Sequence, residues 1–466
     1  MNVDIPFRTG RAAEGPLIWA QLAIWNVLRW LPVEDTTLNL LVRVPVPDGR
    51  GLADVADGLR RLVERHDSLH TVYADTPAGP VQRVLAEGVL ALQVHELDDL
   101  GDVGLEEAAA GIGEALRSPR FDIGADLPLR AAVLLCAGRP LLVLLAASHM
   151  AVDGWSFNIV RADLAGLLAD PAGVAEPGQQ PLERGEYERS AVGRRREAKA
   201  LAFWQRHLES LPDRMIERPR DDGTPRLDWG LIQSPAMALA VHALAARHGV
   251  PSATVLLGGV TLQLAAYLGE EEAALRMIVS TRFRPASRGV VAAFNQNALF
   301  RLDCAPGRHG AETVGQLLRR SADAAFAAYA HCEYDPFALD AMFAALAARR
   351  GVRPNGYCFF NDTRFGLLDA DPPAPPPGDD DLAARVADLL PATKLRSPVI
   401  DRLPMHANFF MFLMDLGETA ELMLSVDRGF FGRRGPLGFL ADLERLIVRA
   451  AVDAGATTAG LYAAVR

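Results

Sequence analysis

LLVLLAASHMAVDGWSFNIV, residues 141–160, is the stretch on which the reading of this chain turns. Leu141 to Ala147 is an unbroken apolar run of strand length, the pattern of a strand covered on both faces. Ser148-His149 stands at its end. Asp153-Gly154 then signals a turn, and helical spacing of apolar residues resumes from Ser156 to Leu168, with Ser156 placed to cap the helix. A rigid strand that delivers a histidine to a loop is a place where a scaffold fixes a reactive side chain. Imidazole titrates nearest neutrality, so His149 suits taking a proton from an attacking nucleophile and releasing it later. An isolated histidine beside an Asp-Gly turn is more often a partly buried strand cap. A His149–Asp153 relay is a further reading. It requires the two side chains to touch, which their spacing across a turn does not establish.

The surrounding window, Ala131 to Met150, has the length of a membrane helix, but Gly138-Arg139-Pro140 sits at its middle. Proline breaks a helix, and arginine is costly at a bilayer centre. The window reads instead as two buried strands, Leu129 to Cys136 and Leu141 to Ala147, joined by a turn. The N-terminal MNVDIPFRTGRAAEG has acidic and polar residues where a signal peptide needs an apolar run. A cytoplasmic protein without membrane contact is expected. The net charge of −10 argues against binding nucleic acid, which needs clustered Lys and Arg to neutralise phosphates. Cys136, Cys304, Cys332 and Cys358 lack CxxC spacing, so neither a disulfide framework nor a metal site follows. They are expected as small buried hydrophobes in a reducing compartment.

The 466 residues exceed a single compact core. Before the motif, helices are expected over 16–31, 52–64 and 104–117, and extended chain over 38–46 and 69–73. Residues 170–185 (DPAGVAEPGQQPLERG) are rich in Pro, Gly and Gln and read as a linker. That divides the chain into units of 1–175 and 176–466. An Arg-rich helix is expected over 186–209, and further helices over 235–248, 253–268, 311–330, 336–349 and 435–452. Strands are expected over 276–281, 294–302, 356–361, 406–415 and 420–426. Residues 369–381 (DADPPAPPPGDDD) bury too little apolar surface to fold and read as a mobile surface loop. Both halves mix helices and strands, which predicts two α/β lobes of like size with a site in the cleft between them.

The segment SHMAVDGWS resembles the HHxxxDG motif of condensation domains from nonribosomal peptide synthetases, members of the chloramphenicol acetyltransferase-like superfamily. Further matches follow in order along the chain. PLIWAQLAIW (16–25) resembles the opening signature, with Ala20, Gln21 and Trp25 in register, and RHDSLHTVY (65–73) resembles RHExLRTxF. Phe121-Asp122 and Pro128-Leu129-Arg130 resemble the approach to the motif strand. Phe203-Trp204 resembles the FW pair after the linker, and Arg282 with FNQNALFR (294–301) resembles a downstream stretch. The resemblance runs from about Pro16 to Ala450 and leaves no room for an adenylation or carrier domain, so a free-standing member is expected.

What the resemblance implies is an α/β fold of two acetyltransferase-like lobes, a V-shaped pseudo-dimer with a tunnel between them. The donor acyl group arrives on the phosphopantetheine arm of an acyl or peptidyl carrier protein, and a small-molecule or carrier-bound acceptor enters from the other side. No bound cofactor, no metal and a monomer are expected. His149 matches the catalytic histidine. Asp153 matches a structural aspartate paired with an arginine, for which Arg282 is the candidate, and Gly154 matches a glycine where the backbone turns tightly. Ser148, Trp155, Ser156 and Asn361 are candidates for the tunnel wall. Ser148 replaces the first motif histidine, and no RNPLF-like stretch is recognisable over 331–357. The resemblance implies amide or ester formation. A coenzyme A-dependent acyltransferase and a catalytically silent recruitment domain are the alternatives.

The remaining candidates read as structural. Arg194, Arg195, Arg196 and Lys199 make a basic run that could dock an acidic carrier protein, but a solvated helix face is the commoner origin of such a run, as it is for Arg349, Arg350 and Arg353. Trp19, Trp25 and Trp30 recur at helical intervals and suit packing. His66 and His70 are expected to be structural. Asn361-Asp362 and His406 to Asn408 fall near strand ends, where tunnel and turn roles are both open.

Overall fold

The computed structural model describes residues 1–466 apart from 98–101, 171–172, 175–177, 217–226, 310, 353–357, 365–378, 399, 401–406, 432–434 and 466. The chain divides into two compact units. The first comprises Met1–Arg195, Ser280–Gln296 and Asp335–Phe337, and the second Arg196–Val279, Asn297–Tyr334 and Ala338–Arg466.

In the first unit the elements are β1 (Asn2–Arg8), β2 (Ala13–Pro16), α1 (Trp19–Trp30), β3 (Asn39–Pro45), α2 (Leu52–Arg65), β4 (Thr71–Ala74), β5 (Val81–Val84) and β6 (Glu87–Leu97). Then come α3 (Asp102–Arg117), β7 (Leu129–Cys136), β8 (Arg139–Ser148), α4 (Gly154–Ala169), α5 (Pro181–Arg189) and the start of α6 (Ala191–Glu209). A five-stranded sheet has the order β1-β6-β7-β8-β3, and β2-β5-β4 form a small second sheet. Only β6 and β7 run parallel among these pairs.

The apolar run of residues 141–147 is β8, and its two faces meet different helices. Val143, Leu145 and Ala147 pack with Val55, Leu59 and Leu62 of α2 and Leu164 of α4. Leu142, Leu144 and Ala146 pack with Ala109 and Leu116 of α3. Coverage on both faces is why no polar residue interrupts the run. Each fully buried leucine here contributes roughly 1.5–3 kcal/mol of transfer free energy.

The expected unit boundary after residue 175 is corrected by the packing of α5, which lies in the first unit. Gln180 accepts the Asp67 N–H at 3.2 Å and donates to Arg65 O at 3.1 Å, and Arg11 pairs with Glu183 at 2.7 Å. Glu188, 2% exposed, accepts the Trp19 N–H at 2.7 Å and Arg184 Nε at 2.7 Å. The expected single helix over 186–209 is two helices. Ser190 ends α5 by donating to Tyr187 O at 2.7 Å and receives the Gly193 N–H at 3.2 Å. A Cβ on Gly193 would lie 2.1 Å from Glu188 O, so this corner requires glycine.

Burial pushes the Glu188 carboxyl up to about 7, although Arg184, the Trp19 N–H and Arg189 pull it down. A raised carboxyl favours the folded state when protonated. That contribution is full below the ordinary value of 4.5 and is lost as pH rises through about 7. Glu188→Gln is expected to remove this dependence. Denaturant unfolding of both proteins across that pH range checks it, and a pH-independent stability difference between them would reject it.

The second unit continues with α7 (Asp213–Ile216), β9 (Leu227–Ser234), α8 (Pro235–His248), α9 (Ser252–Leu268), β10 (Glu272–Ser280), β11 (Asn295–Asp303), α10 (Val314–Ala330) and α11 (Pro336–Arg350). It ends with β12 (Cys358–Asp362), α12 (Asp379–Leu389), β13 (Lys394–Arg396), β14 (Phe409–Leu416), β15 (Ala420–Asp427), α13 (Arg428–Phe431), α14 (Gly435–Val452) and α15 (Thr458–Val465). The strand order is β11-β10-β12-β14-β15-β9-β13. Trp204, Phe300, Phe409 and Phe439 anchor its core. The expected mobile loop at 369–381 falls outside the described residues up to 378, and Asp379 to Asp381 open α12. Cys304, Cys332 and Cys358 are buried, Cys136 is half-buried, and none of the four is in a disulfide. No single helix among the described residues is long and apolar enough to cross a membrane.

Candidate active site

The site is built where β8 ends. The Ser148 N–H donates to Pro128 O at 3.0 Å and the His149 N–H to Leu38 O at 2.8 Å, so the strand end is tied to the chain on both sides. The Ala151 and Val152 N–H groups turn back onto Ser148 O at 2.9 and 3.2 Å. His149 is half-buried on this turn. Its Nδ1 lies 2.7 Å from Val152 O. A carbonyl oxygen only accepts, so Nδ1 carries the hydrogen in this contact. A neutral ring then has its lone pair on Nε2, the tautomer a general base needs.

Asp153 is the N-cap of α4, which corrects the placement of Ser156 in that role. Asp153 Oδ1 accepts the Ser156 N–H at 2.8 Å, and Ser156 Oγ accepts the Asp153 N–H at 2.8 Å, a reciprocal capping box. Asp153 Oδ2 accepts Arg282 Nη1 at 2.6 Å and the Phe294 N–H at 2.9 Å. Burial alone pushes this carboxyl up. The Arg282 charge and hydrogen bond, with the Ser156 and Phe294 N–H groups, outweigh that and hold it below the usual range. Arg282 is buried as well. It also donates to Ser280 Oγ, Val290 O and Ala292 O and lies 4.5 Å from the Phe294 ring centroid. One guanidinium thus fastens residues 280–294 to the start of α4.

The His149–Asp153 relay does not form: Nδ1 is occupied by Val152 O, and the carboxylate is spent on Ser156, Arg282 and Phe294. Gly154 is the first residue of α4 and is not among the positive-φ glycines, so the expected tight turn there needs no left-handed backbone. Ser156 has no exposed surface and donates to Ala292 O at 3.0 Å, so it locks the helix start and lines no passage. Ser148 is buried, its Oγ accepting the Met150 N–H at 3.3 Å. Trp155 is half-buried and donates to Arg288 O at 3.2 Å. Asn361 is in the second unit on β12, with its Oδ1 buried and unpaired among the described residues.

His66 and His70 are buried, bonded to Asp163 at 2.8 Å and Leu85 O at 2.8 Å. Trp19 and Trp25 are core residues, but Trp30 is 41% exposed, which corrects its reading as packing. Arg196 pairs with Glu333, Arg349 with Glu209 and Arg350 with Asp213. Arg353 and His406 lie outside the described residues, and Asn408 is buried. No group of three or more His, Cys, Asp or Glu residues among the described ones is arranged to hold a metal ion.

Two side chains of the first unit touch the histidine loop without a mark in the sequence motif. Ser68 Oγ donates to Ala151 O at 2.5 Å and Tyr73 Oη to Met150 O at 3.1 Å. Both fall in the RHDSLHTVY stretch, whose residue pattern does not mark them for this contact. The Phe294 N–H has no sequence signature, because any residue but proline supplies it.

A strand-end histidine thus stands ahead of a helix capped by a buried, ion-paired aspartate, all within the first unit. The family model described as Condensation domain matches residues 51–340, and the chain belongs to that family. Isonitrile lipopeptide synthase of Mycobacterium tuberculosis is 27% identical over 329 residues, 67% of this chain and 13% of that protein. Phosphinothricin tripeptide synthetase PhsC of Streptomyces viridochromogenes is 25% identical over 330 residues, 67% of this chain and 30% of that protein. The chain therefore spans less than a third of the length of these curated relatives. Among solved structures, SgcC5 from Streptomyces globisporus superposes with a TM-score of 0.71 at 18% identity, covering 95% of this chain and all of that one. The X-domain from teicoplanin biosynthesis gives 0.67 at 16% identity, with 96% of each chain covered. These likenesses establish the mixed α/β condensation-domain fold.

Proposed function

We propose that this protein forms an amide or ester bond between a carrier-bound acyl or aminoacyl thioester and an amine or hydroxyl acceptor in natural-product assembly, with His149 as the group that handles the proton. The observation that carries this reading is the 2.7 Å contact between His149 Nδ1 and Val152 O, which in a neutral ring leaves the lone pair on Nε2. Family membership supports condensation chemistry of the amide-forming type.

The thioester is already activated. The acceptor nitrogen or oxygen attacks its carbonyl carbon, the C–S bond breaks, and the proton lost by the acceptor ends on the pantetheine thiol. His149 Nε2 takes that proton or hydrogen-bonds the tetrahedral intermediate. Alignment of the two substrates contributes on the order of 7–11 kcal/mol in well-oriented cases, and a general base adds about 10²–10⁴-fold. Asp153 and Arg282 hold the loop and do not touch the reacting atoms. The two units correspond, in this reading, to the two lobes, with the first carrying the motif.

Incubation with loaded carrier proteins and candidate acceptors, followed by intact-protein mass spectrometry, tests the reading. Acceptor-dependent loss of the acyl group with product release is expected. A parallel arm with coenzyme A thioesters identifies the donor arm. A thioester left intact across donors and acceptors overturns the reading in favour of a recruiting domain.

A further inference from the structure

The loop from His149 to Asp153 has three successive buried carbonyls, and a different side chain holds each one. Tyr73 Oη donates to Met150 O at 3.1 Å, Ser68 Oγ to Ala151 O at 2.5 Å and His149 Nδ1 to Val152 O at 2.7 Å. Met150, Ala151 and Val152 have no exposed surface, so bulk solvent does not reach these carbonyls. A buried carbonyl left without a donor costs about 1–3 kcal/mol. The loop would have to move to recover that loss.

The two hydroxyls come from one rigid platform. Residues Asp67–His70 form a 3-10 turn that leads directly into β4. Thr71 Oγ1 closes it onto Asp67 O at 2.6 Å, the Leu69 N–H bonds His66 O at 2.9 Å, and the Tyr73 N–H bonds Ile123 O at 2.8 Å. Ser68 and Tyr73 are each 1% exposed. Burial raises the Tyr73 phenol well above its ordinary value, outweighing the lowering influence of the neighbouring Ser68 and Gln21 side chains, so it stays a donor.

Two residues that contact this loop are among the departures from the family patterns quoted above. Ser148 occupies the first motif histidine, and Tyr73 stands where RHExLRTxF has phenylalanine. Ser148 Oγ reaches only as far as the neighbouring Met150 N–H. The hydroxyl that phenylalanine would lack is the one that secures Met150 O.

We infer that Tyr73 and Ser68 are positioning residues for His149: by fixing the Met150 and Ala151 carbonyls they hold Val152 O where it takes the Nδ1 hydrogen, and so present Nε2 as the base. Peptide planarity transmits the constraint, because fixing the carbonyls of residues 150 and 151 fixes the planes that lead into Val152. This inference rests on the acyl-transfer reading of His149.

The test uses the donor and acceptor pair turned over by the wild-type chain, with Tyr73→Phe, Ser68→Ala, the double variant and His149→Ala. Each single variant is expected to lower kcat about tenfold, the equivalent of about 1.4 kcal/mol, with KM unchanged. The ¹⁵N resonances of His149 should show a single Nδ1–H tautomer in the wild type and a mixture of tautomers in the double variant. A merely structural role would lower the melting temperature while leaving kcat per folded molecule and the tautomer untouched. If Tyr73→Phe does not fold, Ser68→Ala carries the same comparison. An inactive His149→Ala beside folded Tyr73→Phe and Ser68→Ala with wild-type kcat overturns this inference alone. A His149→Ala as active as the wild type overturns the acyl-transfer role and this inference with it.

Discussion

Arg282→Met is expected to destabilise the first unit by about 3–5 kcal/mol at neutral pH, because it strands a buried carboxylate. Asp153 loses its only charged partner in the described network and keeps the Ser156 and Phe294 N–H groups, which neutralise no charge. Methionine keeps about the length of the arginine stem but loses the guanidinium over the Phe294 ring and its bonds to Val290 O and Ala292 O, which add to the cost of the stranded carboxylate. The pH dependence has a defined sign. Asp153 is held below its ordinary 3.8 in the folded wild type, so its contribution is present above that value and is lost as pH falls through the folded one. Without Arg282, burial is opposed only by the Ser156 and Phe294 N–H groups, and the carboxyl is expected to rise. The deficit of Arg282→Met against the wild type should therefore shrink as the medium is acidified. Asp153→Asn combined with Arg282→Met should recover a large part of the loss. Asparagine still accepts the Ser156 N–H as an N-cap, and removing both charges is cheaper than orphaning one. Denaturant unfolding of the single and double variants at two pH values measures this coupling. An Arg282→Met within about 1 kcal/mol of the wild type would show that the pair contributes little.

The behaviour of this pair also shows what the sequence reveals and what it withholds. The apolar run of β8 and the helical spacing of α4 are local patterns, and their physical causes, burial on two faces and an amphipathic stripe, are written in consecutive residues. The start of α4 is less legible. Ser156 and Asp153 both suit an N-cap, and only the bond from the Ser156 N–H to Asp153 Oδ1 separates them. β1 and β9 have no clear signal in the residue pattern. Pro6 interrupts β1, which is tolerated because that strand lies at the edge of its sheet, and β9 follows residues outside the described chain. The break between α5 and α6 depends on the close approach of Gly193 to Glu188 O across a local corner that the helical spacing of the residues does not reveal. The pairing of Asp153 with Arg282, 129 positions apart, is legible only through family resemblance. The hydroxyls of Ser68 and Tyr73 leave no signature because their acceptors are main-chain carbonyls, which have no residue code.

His149→Ala is expected to lower kcat by about 10²–10⁴-fold while leaving substrate alignment intact, since a general base contributes that much and alignment is supplied by other contacts. The substitution also removes the donor to Val152 O, a buried carbonyl, and that loss costs about 1–3 kcal/mol of stability by itself. A fall in activity on its own would therefore confuse the chemical role with the structural one. His149→Asn separates them. The asparagine amide nitrogen occupies nearly the place of Nδ1 and can donate to Val152 O, but the side chain has no basic atom where Nε2 stands. Its melting temperature should lie close to that of the wild type while its kcat stays with His149→Ala. The measurement is turnover of a carrier-bound thioester per folded molecule, with thermal unfolding in parallel. Were His149→Asn to regain most of the activity, the histidine would be a loop fastener, and the proton would have to leave the acceptor by way of solvent. Were both variants inactive with His149→Asn fully stable, the lost function would belong to Nε2, the atom whose lone pair the Val152 carbonyl sets in place.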